Sequence, residues 1–429
     1  MSTSKSQFLI GAASSGSGKT TLTLGLLRAL RRRGRRVAPF KCGPDYIDPL
    51  YHRLAAGSES VNLDSFLASA PHLEALYGRY AAPADVAVVE GVMGLCDGWQ
   101  ADRGSSAELA RMLRLPVVLV VDARSTAYSA APLLYGFRHF GQGAEVVGAI
   151  FNRVASPSHY TFLKEAARDA GVEALGWLPR DEAFAAPSRH LGLSLENLGA
   201  FEPVVERLAD AVEAHVDLDR LEELTLRPFG FRAPAPRPRG TLRTAVARDE
   251  AFNFLYRANL DRLEELGEVR FFSPLRDRDL PEADLLYLPG GYPEFRLEEL
   301  TRNEPLRRAV RDYAEAGGRL IAECGGMMYL ARAIRDERGE SYPMCGVLPV
   351  EASMEGMKLR LGYREIHYGE HRLRGHEFHY SHIEGDCPSV ARQFSARGAE
   401  VATPLYRYKN VIAGYTHLYW GEADPTKWF

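Results

Sequence analysis

Short apolar runs separated by longer amphipathic stretches set the rhythm of the first half of the chain: Phe8–Ile10, Val37–Phe40, Val86–Val89, Val117–Val121, Val146–Phe151 and Leu175–Leu178. Compact apolar runs of this kind read as strands buried on both faces, and the stretches between them as crossover helices. The pattern predicts repeated βα units around a parallel sheet. It returns at Thr244–Ala247, Val269–Phe272, Leu285–Leu288 and Leu320–Ala322. Beyond about residue 344 it gives way to closely spaced strand-like pieces such as His376–Phe378 and Val411–Tyr415. No repeat of fixed period is visible. Between the two halves lies Pro228-Phe-Gly-Phe-Arg-Ala-Pro-Ala-Pro-Arg-Pro-Arg-Gly240, where proline removes donors and fixes φ, so an extended connection is expected. The expected architecture is α/β with two doubly wound domains: a parallel P-loop-type sheet over residues 1–227, a linker over 228–240, and a second sheet domain over 241–429.

Composition narrows the function. A chain of 429 residues exceeds one ordinary core and supports two. Its five cysteines (Cys42, Cys96, Cys324, Cys345, Cys387) are scattered, with no paired spacing for disulfides or zinc, which points to a reducing, cytoplasmic setting. The N-terminal run is too short and glycine-rich for a signal peptide or membrane span, so no membrane partner is expected. A net charge of -3 offers no general reason for nucleic acid to bind, and the basic run Arg31–Arg36 reads as a solvated helix end.

Candidate chemistry begins at Gly11-Ala-Ala-Ser-Ser-Gly16-Ser17-Gly18-Lys19-Thr20-Thr21, between an apolar strand and a helical stretch. Glycines let backbone amides wrap phosphate at a helix N-terminus, Lys19 can reach the terminal phosphates, and the Thr20 hydroxyl can ligate Mg²⁺. Ala13 stands where the strict P-loop pattern has its first glycine. ATP and Mg²⁺ are therefore the expected cosubstrate and cofactor. Acidic partners follow two strands: Lys41-Cys-Gly-Pro-Asp45-Tyr46-Ile47-Asp48 after one, and Glu90-Gly-Val-Met-Gly-Leu-Cys-Asp97 after another. Asp45 and Glu90 are expected to serve metal or nucleotide, with Lys41 beside them, whereas Asp48 and Asp97 could equally cap turns. Asn152-Arg153 and Leu178-Pro179-Arg180, each after a strand, are weaker candidates for gripping the base.

A second constellation lies downstream. Leu320-Ile-Ala-Glu323-Cys324-Gly325-Gly326 sets one cysteine between a strand and a helical run, with small neighbours. That is a nucleophile elbow, in which the helix N-terminus is expected to favour thiolate. The strand Leu285–Leu288 ends in Pro289-Gly290-Gly291, a turn able to aim an amide at an oxyanion together with that of Gly325. His417 follows a late strand and is the preferred base; His376 and His379 are rivals, placed on opposite faces by their odd separation. A buried structural cysteine and a satisfied core histidine are the plain alternatives.

Taken together, Ser15–Thr21, Gly43–Pro49, Glu90–Leu95, Arg189–Leu193, Ala245–Phe252, Phe272–Arg276, Leu288–Glu294, Glu323–Gly326 and Gly375–Tyr380, in this order, resemble the cobyrinate (hydrogenobyrinate) a,c-diamide synthase family. The resemblance implies a dethiobiotin-synthetase-like domain that activates a carboxylate as an acyl phosphate, and a class I glutamine amidotransferase-like domain in which Cys324 releases ammonia from glutamine. Its substrates would be a corrinoid carboxylate, glutamine and ATP, and a homodimer is compatible with it. Asp97 would handle phosphate or intermediate, and Tyr46 and Ile47 would sense the macrocycle. Such chemistry also implies a protected route for ammonia. Two departures stand out: Tyr419 occupies the place where class I glutaminases often carry a glutamate two residues after the histidine, and Cys42 and Cys96 replace other residues of their motifs. Two further readings remain at this stage. The acceptor could be sirohydrochlorin or its nickel form, or the first half could act as a P-loop switch ATPase, which would leave Cys324 without a purpose.

Overall fold

The computed structural model describes residues 4–140, 143–184, 198–235 and 238–429, so the Arg189–Leu193 motif lies outside the described residues. The chain divides into two compact units, one reaching to Ala235 and the other lying beyond it.

In the first unit the predicted strands form as β1 (Ser4–Ala12), β2 (Val37–Cys42), β4 (Val86–Glu90), β5 (Val117–Asp122), β6 (Val146–Val154) and β7 (Glu173–Pro179), joined by β3 (Val61–Leu63) and β8 (Leu226–Pro228). The sheet order is β3-β2-β4-β1-β5-β6-β7 with every neighbouring pair parallel; β8 lies antiparallel beside the start of β1. Register places Ile10 opposite Glu90 and Glu90 opposite Lys41. The carboxyl ends of three adjacent strands therefore open at one height, where ligands bind in sheets of this type. Residues after β8 pack as well as connect: Phe229 and Phe231 lie against Tyr77, with ring centroids 6.3 and 5.0 Å away.

The second unit is built on β9 (Leu242–Ala247), β10 (Gly267–Phe272), β11 (Leu285–Leu288) and β12 (Arg319–Glu323), followed in the sheet by Val411–Gly414 and Leu405–Tyr408. The order is β10-β9-β11-β12-(Val411–Gly414)-(Leu405–Tyr408), parallel except for the last pair. Alternate residues face opposite sides: Leu286, Leu288 and Leu320 enter one core, and Leu285, Tyr287 and Ile321 another, as a sheet covered on both faces requires. The other strand-like pieces after residue 344 contribute to two smaller sheets. One contains Arg360–Tyr368 and His371–His379 and also captures the two-residue strand His417–Leu418. His417 is thus held where the large sheet hands the chain to a small one. No helix among the described residues is long and apolar enough to cross a membrane.

Candidate active site

In the first unit the loop after β1 turns through Gly16 (φ 77°) and Gly18 (φ 95°), a region that glycine enters without steric cost, and Gly18 opens helix α1 (Lys19–Arg32). A Cβ on Gly18 would fall 1.9 Å from Asn152 Nδ2. That amide donates to the Ser17 carbonyl at 3.0 Å, and Arg153 donates to the Gly16 carbonyl at 2.9 Å and to Asp122 at 2.7 Å. These tethers from the end of β6 fix the shape of the loop. Lys19 Nζ donates to the Met93 carbonyl at 2.5 Å, in the loop after β4. Thr20 donates to Glu90 Oε1 at 2.6 Å and lies 3.4 Å from Asp48 Oδ2; Thr21 shares its helical turn.

Glu90 is the centre of a buried charge network. Lys41 Nζ lies 2.8 Å from Glu90 Oε1 and 2.6 Å from Asp48 Oδ2. His52 Nε2 lies 2.7 Å from Glu90 Oε2, and its other ring nitrogen is 3.1 Å from Ser60 Oγ. Burial alone would lower the Lys41 pKa, but the carboxylates of Asp48, Glu90 and Asp45 reverse that effect and hold it above its ordinary value. Burial likewise opposes charge on Glu90, yet Lys41 and His52 keep its carboxyl below the usual range. Both groups are charged at neutral pH.

Asp48 therefore stands among these groups, whereas Asp45 Oδ1 accepts the amides of Ile47 and Asp48 at 2.8 and 2.9 Å and shapes the entry to α2 (Asp48–Ala56). Tyr46 is buried, Ile47 packs half-buried against the core, and Asp97 Oδ2 accepts the Gly94 amide at 3.0 Å. His52 and Asp122 are additions that the sequence pattern did not single out. The available signal for His52 was its position four residues after Asp48, on the same helical face.

In the second unit the residues after β11, β12 and Val411–Gly414 converge because those strands are immediate neighbours. Cys324 adopts φ 47° and ψ −108°, and its amide donates to the Gly414 carbonyl at 2.7 Å. This elbow closes only around glycines: a Cβ on Gly325 would lie 2.7 Å from Pro293 Cδ, and one on Gly326 would lie 2.1 Å from the Leu288 carbonyl oxygen. A Cβ on Gly290 would lie 2.1 Å from His417 Cε1 and 3.3 Å from Cys324 Cβ, so imidazole and cysteine meet over that glycine. Gly291 backs onto the Ala251 carbonyl with equally little room, 2.1 Å.

Burial pushes the His417 pKa down to about 3, with His376 and His379 adding to the effect and Glu377 opposing it. The imidazole is neutral and able to accept a proton. Burial also pushes the Cys324 thiol well above its ordinary value; the Glu294 carboxyl adds to this, and the Gly325 amide works against it. The expectation of a resting thiolate is therefore not met. The helix after the elbow, Gly325–Leu330, spans only 6 residues, and its field is outweighed by desolvation and nearby carboxyls. At rest the pair is neutral thiol and neutral imidazole.

The rival histidines occupy other roles. His376 sits opposite His417 in register. His379 has both ring nitrogens engaged, with Glu377 Oε1 at 2.7 Å and the Ser381 carbonyl at 2.8 Å, and its ring stacks on Tyr415 at 3.5 Å. Glu377 also accepts from Arg364 at 2.5 Å and Thr403 at 2.8 Å. Although burial would raise its pKa, His379, Arg364 and Thr403 hold it down to about 2. An ionised carboxylate thus acts on His417 from a neighbouring strand, whereas Tyr419, at the place where class I glutaminases often carry a glutamate, packs against Tyr256.

Comparison with known proteins agrees with this geometry. Residues 8–193 match the CobQ/CobB/MinD/ParA nucleotide binding domain, and residues 243–425 the CobB/CobQ-like glutamine amidotransferase domain. A hydrogenobyrinate a,c-diamide synthase of Brucella abortus is 43% identical, covering 97% of this chain and 99% of its own length. A cobyrinate a,c-diamide synthase of Caldanaerobacter subterraneus is 41% identical over 96% of this chain and 94% of its own, and a hydrogenobyrinate a,c-diamide synthase of Pseudomonas aeruginosa has the same three figures. Two matched domains and identity sustained along nearly the whole length establish that the chain belongs to the family of the cobyrinate and hydrogenobyrinate a,c-diamide synthases.

Proposed function

We propose that the chain converts the a and c acetate carboxylates of cobyrinic or hydrogenobyrinic acid into amides, using ATP to activate each carboxylate and glutamine as the nitrogen source. Residues 1–227 would form the activating domain, 228–240 the connection and 241–429 the ammonia-releasing domain. The observation that carries the reading is the convergence of Cys324, His417 and the Gly290–Gly291 turn at adjacent strand ends, in a chain that also holds a formed P-loop. In this scheme His417 takes the Cys324 proton as sulfur attacks the glutamine amide, and Gly291 and Gly325 amides receive the oxyanion. Glu377 offsets the charge that develops on the imidazole. Returning the proton to the leaving nitrogen releases ammonia, and water then frees glutamate from the thioester.

At the other site Gly16, Ser17, Gly18, Lys19 and Thr21 cradle and neutralise nucleotide phosphates, and Asn152 braces the loop. The Thr20 hydroxyl and the Glu90 and Asp48 carboxylates are hard oxygen donors within reach of one another, the kind of set that suits Mg²⁺. They, with Asp45 nearby, would hold the ion, which when bound supplies charge neutralisation for phosphoryl transfer. Among the described residues no cage of three His, Cys, Asp or Glu forms, and Mg²⁺ at phosphate sites needs none. Lys41 balances the carboxylates, and Tyr46, Ile47 and Asp97 would take part in sensing the acceptor.

The test is glutamate and ADP release with ATP, Mg²⁺, glutamine and cobyrinic acid, comparing the unmodified chain with Cys324→Ala and adding ammonium as a bypass. Loss of glutamine-driven but not ammonium-driven amidation, with a mass change of two amides, is expected. Offering hydrogenobyrinic acid and sirohydrochlorin in competition tests the acceptor; preferential amidation of sirohydrochlorin would overturn the corrin assignment.

A further inference from the structure

One carboxyl beside Cys324 is unused by the mechanism above. Glu294 lies in the turn Pro293–Phe295, whose Pro293 packs onto the elbow so closely that Gly325 cannot carry a side chain. The residue as a whole is partly exposed, but its Oε2 is shielded from solvent and has no hydrogen-bond partner among the described residues. An acceptor left unsatisfied in this way is costly unless a ligand completes it. The group lies close enough to the reacting centre for its charge to act on both the Cys324 sulfur and Tyr415. Burial raises its pKa to about 7, so it can hold either a proton or a cation near neutrality.

The glutamine site already has a base in His417 and oxyanion donors in Gly291 and Gly325. What those residues lack is an acceptor for a cation, and glutamine brings one. We infer that Glu294 receives the α-ammonium group of glutamine and thereby sets the side-chain amide over Cys324. This rests on Cys324 being the glutamine nucleophile. The assignment has a second consequence: an ionised Glu294 penalises thiolate formation, and pairing with an ammonium removes that penalty. A neutral amide nitrogen would satisfy the oxygen without relieving the charge. Recognition of the correct substrate therefore also eases the sulfur towards attack.

The experiment compares glutamate release from glutamine with glutarate release from glutaramate, which is glutamine without its α-amino group, in the full chain. The unmodified protein should prefer glutamine by at least about 30-fold in kcat/KM, the scale of one charge-assisted hydrogen bond. Glu294→Gln should lose that factor on glutamine, keep or raise turnover of glutaramate because the unpaired charge is gone, and keep ammonium-driven amidation. Glu294→Asp, which retains the charge, should keep part of the preference. An unmodified protein that does not discriminate overturns the inference, as does a Glu294→Gln variant that loses both activities equally. Glutamate release surviving in Cys324→Ala would instead remove the nucleophile reading underneath it.

Discussion

Gly290 meets a steric demand as tight as any at the thiol site, and its substitution by alanine tests the position of the His417 ring. No left-handed φ is required there, so the backbone accepts alanine and the effect is confined to the new methyl group. That group would stand 2.1 Å from His417 Cε1 and 2.7 Å from Nδ1, whereas ordinary contact begins near 3.4 Å. The ring must therefore retreat by roughly 1.3 Å, and it is fully buried; a displacement of about 1 Å at a reacting group can cost about 100-fold. That corresponds to about 2.7 kcal/mol in the barrier. Gly290→Ala should thus lower glutamine-dependent kcat by about 100-fold, while ammonium-driven amidation and its ATP dependence stay within a factor of about two. Parallel assays with glutamine and with ammonium measure this directly. Glutamine-dependent turnover within about threefold of the unmodified value would show that His417 does not need the position it occupies, and the base assignment would fall.

Other consequences are equally measurable. Lys41→Met strands Glu90 and Asp48 as buried, uncompensated charges and should cost about 3–5 kcal/mol in urea unfolding; a loss below about 1 kcal/mol would contradict the network. Gly18→Ala, strained at φ 95° and driven into Asn152, should raise the KM for ATP at least tenfold, about 1.4 kcal/mol, and spare glutamine hydrolysis. An unchanged KM would mean that the loop tolerates reshaping. Because burial holds the His417 pKa near 3, the base form persists in acid, and kcat for glutamine hydrolysis should stay level from about pH 8 down to about pH 5. A descending limb near the ordinary histidine pKa, about 6.5, would show that the imidazole ionises normally. Glu377→Gln removes the charge that supports the imidazolium and should lower that kcat by about tenfold with little change in KM, whereas unaltered kcat would assign Glu377 to structure alone.

Much of this was legible because the relevant demands are local. Strands buried on both faces write themselves as short, compact apolar runs, and β1, β2, β4, β5 and β6 were readable for that reason. β3 and β8 span only 3 residues each and leave too little periodicity to detect. An elbow at Cys324 requires small neighbours within two positions, a rule visible in the chain itself. The carboxylates behaved differently. Asp45 and Asp48 sit on one turn, and only the phase of α2 decides which caps the turn and which meets Lys41. Glu377 is brought near His417 by strand pairing, and Glu294 is brought near Cys324 by the packing of its neighbour Pro293 against Gly325. Such partnerships are tertiary. The resting protonation of Cys324 was likewise hidden, since it depends on how deeply the sulfur is enclosed and on carboxyls brought near by other segments.

The placement of Val411–Gly414 inside the large sheet also governs when the site can exist. Its pairing with β12 closes a loop of about 90 residues, a long-range contact whose entropy must be met before the pairing rewards it. Without that strand β12 presents an open apolar edge, and Cys324 lacks both the Gly414 carbonyl that its amide donates to and the His417 imidazole. A chain interrupted between Gly326 and Val411 would therefore be prone to edge-to-edge association yet unable to split glutamine. Splitting glutamine by this pair therefore requires a molecule whose central sheet is complete.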